Sequence, residues 1–324
     1  MAKAIRISRS GGPEVMEYVE VDVADPFPGE VRIRQAACGL NFIDVYHRNG
    51  TYKQPLPGGV GMEASGTVVA VGPGVTHLQA GDRVAYAGGP IGAYASERTM
   101  PAAMVVKLPD GIELETAAGM MLQGLTVQYL FRRTFLLRGG ETILFHAAAG
   151  GVGLIACQWA RALGVTMIGT VSSDEKAELA RSNGCAHVIN TQRENFVERV
   201  REITGGRGVP VVYDGVGKDT FTGSLDCLAR LGTMVSFGNA SGVVPPFSLS
   251  ELSSRGSLFI TRPTMFDYTA QREDLDAMAA ELFYMVGSGQ VKIDIRQRYP
   301  LAEVARAHQD LEARRTTGST ILLP

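Results

Sequence analysis

Ten residues near the middle of this chain restrict its fold more tightly than any other stretch. Leu144-Phe145-His146-Ala147-Ala148-Ala149-Gly150-Gly151-Val152-Gly153 sets an apolar, strand-like run directly against a cluster of small residues, and residues 154–163 continue with amphipathic helical spacing. Small side chains let strand, turn and helix approach closely, so the turn presents amide N–H groups and the positive end of a helix dipole to one point. Read as Ala148-x-Gly150-x-x-Gly153, the segment is a dinucleotide-binding fingerprint with alanine in the first glycine position. Ala148, Ala149, Gly150, Gly151, Val152 and Gly153 are therefore expected to hold a pyrophosphate.

The surroundings supply the context that such a turn needs. Apolar strands at residues 142–146, 165–171 and 209–214 alternate with helices that begin at Val152 and Asp174, and residues 233–237 and 258–261 extend the series. Alternation of this kind is the sequence form of a parallel, doubly wound sheet. From Met1 to about Pro109 the pattern is instead short strands broken by Gly/Pro turns, which predicts a β-rich domain. Beyond Thr264 come a helical segment at residues 275–286 and an apolar end at residues 320–323, expected to rejoin the first domain. The expectation is an α/β chain with a β-rich domain of residues 1–124 and 264–324 and a nucleotide domain of residues 125–263. At 324 residues there is length for two cores.

Charge narrows the partners. Thirty-one basic against 33 acidic residues leave a net charge of -2, which gives no footprint for nucleic acid or an anionic membrane. No apolar run reaches the roughly 18 residues that a membrane span requires. Cys38, Cys157, Cys185 and Cys227 stand far apart with no C-x-x-C pair, and read as buried thiols in the cytoplasm.

The nucleotide itself is read from the end of the second strand. An NAD enzyme usually places an acid there for the ribose 2′-hydroxyl. This chain has Gly169-Thr170-Val171-Ser172-Ser173-Asp174-Glu175-Lys176, with hydroxyls at the strand end and Lys176 on the next turn. Ser172, Ser173 and Lys176 offer donors to a 2′-phosphate, so NADPH is expected ahead of NADH. Asp174 and Glu175 suit a helix N-terminus, where negative charge is favourable.

Gly140-Glu141-x-x-Leu144-x-x-x-Ala148-Ala149-Gly150-Gly151-x-Gly153, followed by Gln158 and Arg161, resembles the signature of the quinone oxidoreductases and ζ-crystallins. The resemblance covers the whole chain, through Cys38-Gly39-Leu40-Asn41-Phe42-Ile43-Asp44, Val211-Val212-Tyr213-Asp214, Ser236-Phe237-Gly238-Asn239 and Gly318-Ser319. It implies a zinc-free medium-chain dehydrogenase/reductase, with a GroES-like catalytic domain and a Rossmann domain. It also implies that Asn41 lies beside the nicotinamide, while Tyr46 and Tyr52 border the substrate; these three form the expected catalytic set. Thr126, Phe237, Gly238, Asn239, Thr261, Arg262 and Arg314 join the cofactor set on the same basis. Asp44 is read as the anchor of its local turn or helix, and His146 as structural or adjacent to the cofactor. Relatives often carry Tyr where this chain has Thr191, a departure that removes a possible phosphate-side contact.

The zinc alcohol dehydrogenases share that architecture and bind catalytic zinc through Cys, His and Cys. The matching positions here are Asn41, Met62 and Gln123, and none is a good zinc ligand. Metal-dependent alkoxide chemistry is therefore not expected. The function expected from the resemblance is reduction of a quinone by NADPH. One alternative is reduction of an activated double bond in an enone or alkenal; another is an NADPH-binding or RNA-binding protein with weak activity, against which the balanced charge argues. Finally, residues 257–261 read as the outermost Rossmann strand. An apolar edge needs a cover, and the family pairs two such edges in a homodimer, here through Leu258 and Ile260 or their neighbours.

Overall fold

Along Glu30–Leu40, Val31, Ile33, Cys38 and Leu40 turn inward, and this long strand becomes the spine of a seven-stranded sheet. The computed structural model describes residues 1–324 and divides them into two units. The first comprises Met1–Leu125, Thr269–Gly287 and Ile293–Pro324. Its large sheet runs Ile295–Pro300, Ser319–Leu323, Glu30–Leu40, Glu63–Val71, Arg83–Ala87, Val106–Lys107, with Glu97–Pro101 also paired to Glu30–Leu40. The C-terminal strand Ser319–Leu323 is antiparallel to Glu30–Leu40, with Ile321 opposite Gly39. The tail thus returns to the β-rich unit, because its apolar residues complete that core. Ile5, Ile33, Val84, Tyr94, Leu301 and Leu322 share one cluster, and each such side chain contributes roughly 1.5–3 kcal/mol by its burial.

Helix α1, Phe42–Asn49, leaves the spine strand at Asn41. Its first turn is closed by Asp44, whose Oδ2 accepts the Asn41 N–H at 2.9 Å, and it ends at Gly50 with φ of 83°.

The second unit comprises Thr126–Tyr268 and Ser288–Lys292. Six parallel strands, β1 (Thr142–Phe145), β2 (Thr166–Val171), β3 (His187–Asn190), β4 (Val209–Asp214), β5 (Leu228–Ser236) and β6 (Phe259–Thr261), lie in the order β3-β2-β1-β4-β5-β6. Helix α2 (Gly151–Ala162) follows β1, α3 (Asp174–Ser182) follows β2, and α4 (Phe221–Asp226) lies between β4 and β5. The order reverses between β2 and β4, on either side of β1, which is where doubly wound sheets bind ligands. Strand β3 has no counterpart among the strands read from the sequence. It is four residues long, His187 is exposed, and only Ile189 and Asn190 are buried, too little apolar pattern to register as a strand. Gln158 of α2 holds the returning segment, donating to Lys292 O at 3.0 Å and accepting from its N–H at 2.8 Å.

Candidate active site and nucleotide site

In the first unit the Asn41 side chain is turned away from the helix it precedes. Its Nδ2 donates to Glu63 Oε2 at 2.6 Å, and its Oδ1 accepts from Gln123 Nε2 at 3.2 Å. Gln123 Oε1 accepts from Ser319 Oγ at 2.8 Å, and Glu63 Oε1 from the Leu122 N–H at 2.9 Å. Asn41, Glu63, Gln123 and Ser319 are all buried. A carboxamide gripped at both ends in a low-dielectric interior has one orientation. Burial pushes the Glu63 carboxyl up to about 8 against the opposing hydrogen bonds from Asn41 and Leu122.

Tyr46 and Tyr52 are brought together, ring centroids 5.1 Å apart and edge to face. Phe42 packs on Tyr46 at 5.5 Å, and His47 lies 5.7 Å from Tyr52. Asp44 serves its helix: Oδ2 takes the Asn41 N–H and also the Tyr94 hydroxyl at 2.7 Å. No hydrogen bond joins it to His47, whose two ring nitrogens are buried without partners. Burial raises Asp44 to about 7 and lowers His47. Arg314 sits in the exposed turn after the helix Val304–Glu312, with φ of 59°.

In the second unit the phosphate turn is built as its sequence demands. A Cβ at Gly153 would lie on the Ala147 carbonyl oxygen and the Ala148 backbone, so only glycine lets α2 start this close to β1. Gly150 caps α2 without any side-chain hydrogen bond to its first turn, which leaves N–H groups of that turn for a ligand. Neither a large side chain nor an acid stands in the way, so the turn fits a pyrophosphate.

At the end of β2, Ser173 caps α3 by accepting the Lys176 N–H at 3.2 Å, and its hydroxyl hydrogen bonds the Glu175 carboxylate. Lys176 Nζ lies 3.4 Å from Ser172 Oγ, so the three expected donors are assembled at one corner. Asp174 is occupied: Oδ1 accepts from Asn190 Nδ2 at 2.9 Å and Oδ2 pairs with Arg193 at 2.5 Å. Arg193, which the sequence did not single out, reaches this corner through its ion pair with Asp174. Nothing periodic marks it; only the return of β3 beside β2 brings it there. Thr191 spends its hydroxyl on Val171 O at 3.1 Å.

Across the strand order, Phe237 packs on Phe145 at 5.7 Å. Arg262 Nη1 donates to Ser236 O at 2.8 Å and Gly238 O at 3.2 Å. The Asn239 amide, with its oxygen toward Arg262 Nη2 (3.1 Å) and its nitrogen toward Gly238 O (2.9 Å), completes the cluster at the ends of β5 and β6, next to Thr261. Thr126 is buried and hydrogen bonds Tyr129.

Two family descriptions match the chain: "Alcohol dehydrogenase GroES-like domain" over residues 27–110 and "Zinc-binding dehydrogenase" over residues 151–281. The residues at the former ligand positions do not fit zinc. Asn41 and Gln123 are hydrogen bonded to each other, Met62 is buried, and no group of three or more His, Cys, Asp or Glu is placed to hold a metal. The quinone oxidoreductase of Pseudomonas aeruginosa is 58% identical over the full length of both chains. A 2-haloacrylate reductase of a Burkholderia species is 47% identical over 100% of this chain and 99% of its own. The crystal structure of Escherichia coli quinone oxidoreductase complexed with NADPH, 50% identical, superposes with a TM-score of 0.98 and covers 99% of this chain and 100% of its own. Identity of this extent, over the full length, makes the chain a member of the quinone oxidoreductase family within the medium-chain dehydrogenase/reductases.

Proposed function

We propose that this chain transfers reducing equivalents from NADPH to a quinone without a metal. The observation that carries the cofactor choice is the corner at the end of β2, where Ser172, Ser173 and Lys176 converge while Asp174 is neutralised by Arg193. Charge-assisted bonds to a 2′-phosphate are the strong kind. Ala148, Ala149, Gly150, Gly151, Val152 and Gly153 take the pyrophosphate, and the clusters around Phe237, Gly238, Asn239, Thr261 and Arg262, with Thr126 and Arg314, hold the rest. When bound, the nicotinamide supplies the hydride. The protein supplies position: Asn41, held by Glu63 and Gln123, keeps its second Nδ2 proton to orient an acceptor oxygen, and Tyr46 and Tyr52 border a planar ring.

The 2-haloacrylate reductase relative favours a second reading, in which the acceptor is an activated carbon-carbon double bond. Loss of NADPH and NADH is followed with 1,4-benzoquinone, a naphthoquinone, an enone and 2-chloroacrylate. Turnover of NADPH with the quinones supports the first reading, turnover with the enone or chloroacrylate alone the second, and oxidation of NADH in preference to NADPH would overturn the cofactor assignment. We further propose a homodimer formed through the exposed edge β6 and, from four buried free thiols, residence in the cytoplasm.

A further inference from the structure

Ala147 opens the phosphate turn with a left-handed backbone, φ 57°. For a residue with a Cβ this conformation is strained, and it persists only where the surroundings over-determine it. Its carbonyl accepts the Gly150 N–H at 3.0 Å, and the next residue, Ala148, donates to Thr170 O at 2.9 Å. The N–H of Ala147 itself reaches the Thr170 hydroxyl oxygen at 3.4 Å.

That hydroxyl belongs to a buried chain. Thr170 Oγ1 lies 2.9 Å from His146 Nδ1, His146 Nε2 lies 2.9 Å from Ser224 Oγ, and Ser224 Oγ donates to Asp214 Oδ2 at 2.9 Å. Chemistry fixes the direction of every link. A serine hydroxyl has one proton, and here Asp214 takes it, so Ser224 accepts from His146 Nε2–H. Nδ1 is then the acceptor, the Thr170 hydroxyl donates to it, and the Thr170 oxygen lone pair is left facing the Ala147 N–H. Burial lowers the pKa of His146, in keeping with a neutral ring. At its far end Asp214 also accepts the Val216 and Gly217 N–H groups at 2.8 and 3.0 Å, so one carboxylate organises the turn after β4 and, through the chain, the turn after β1.

We infer that Asp214, Ser224, His146 and Thr170 are positioning residues that set the pyrophosphate turn by holding Ala147 in its left-handed conformation. The inference rests on the dinucleotide reading of that turn. It predicts a defect confined to the pyrophosphate half of the ligand, because none of these side chains belongs to the Ser172, Ser173, Lys176 corner.

Thr170→Val removes the acceptor and keeps the volume, whereas Thr170→Ser keeps the oxygen. The probes are NADPH, titrated by its fluorescence, and 2′-AMP, which carries the 2′-phosphate but no pyrophosphate. Loss of one hydrogen bond in a buried network is expected to raise the Kd and KM for NADPH about tenfold in Thr170→Val. Thr170→Ser should restore both to within about twofold, with the 2′-AMP Kd and the KM for 1,4-benzoquinone unmoved in either variant. Ser224→Ala, one link further away, is expected to raise the NADPH Kd about threefold and serves if Thr170→Val does not fold. The inference is overturned if NADPH binds the valine and serine variants alike, if the tested variant binds it as the wild type does, or if NADPH and 2′-AMP weaken by the same factor. Failure of the wild type to bind NADPH overturns the functional reading instead.

Discussion

Asp174 opens α3 just past the strand-end hydroxyls, and its partners decide what its carboxylate does. Arg193 at 2.5 Å and Asn190 at 2.9 Å occupy both of its oxygens. Lys176→Ala is expected to weaken NADPH about tenfold and to leave NADH nearly unchanged, since a charge-assisted bond to phosphate contributes about 1.5–3 kcal/mol before solvent screening. Equal loss for both nucleotides in a fluorescence titration would sink the assignment. The proximity of Ser172, Ser173 and Lys176 was legible in the sequence because they lie within one turn of a strand end. Arg193 and Glu63 were not, because their roles depend on which elements fold back beside them. Asn41, Met62 and Gln123 carry a further expectation: with their polar atoms committed to hydrogen bonds or absent, exhaustive chelation leaves turnover and melting temperature unchanged. Stoichiometric zinc in the purified protein, measured by elemental analysis, would contradict it.

Helix α1 shows how an element can be secured at the cost of pH sensitivity. Asp44 closes its first turn and takes the Tyr94 hydroxyl, yet its Oδ1 is buried without a partner, and burial raises the carboxyl from 3.8 to about 7. Glu63, beside Asn41, is raised from 4.5 to about 8 in the same way. Raised carboxyl pKa values mean that between these limits the folded protein binds more protons than the unfolded chain, so stability falls as pH rises through the window. Below it the lowered Asp82, paired with Lys107, acts in the opposite sense. Asp44→Asn keeps an oxygen for the Asn41 and Tyr94 donors and removes the titration. Its melting temperature should match the wild type near pH 4, exceed it by a few degrees at pH 8.5, and vary less between. A wild-type melting temperature that rises steadily from pH 5 to pH 8 would refute the buried-acid account. At this scale the sequence was most readable where apolar runs were long, as in β1, β2 and β4. It was least readable at β3, whose four residues pair with β2 through backbone bonds that no side-chain pattern announces.

For the whole molecule the open question is what covers the edge of the parallel sheet. Strand β6 pairs with β5 on one side only, with Phe259 opposite Thr233 and Ile260 opposite Met234. Leu258, expected from the sequence at a subunit interface, instead lies 6% exposed in the core of its own unit. Phe259 and Ile260 are 60% and 37% exposed, and Leu231, whose N–H donates to Gly256 O just before this strand, is 65% exposed. Leu258 precedes the strand and packs into the core of its unit, whereas Phe259 and Ile260 within β6 are both exposed. Unpaired strand N–H and C=O groups flanked by apolar side chains invite another strand, and joining two copies about a two-fold axis satisfies both edges at once. Sedimentation equilibrium at micromolar protein is therefore expected to give twice the 34.6 kDa chain mass. Phe259→Asp, which places a charge at the edge, should weaken that association at least tenfold while NADPH binding at low occupancy survives, because losing one buried aromatic anchor at an interface centre costs about 2 kcal/mol or more. A wild-type protein that sediments as a single species at the chain mass, with or without NADPH, would show that the exposed edge remains unpaired and that Phe259 and Ile260 face solvent alone.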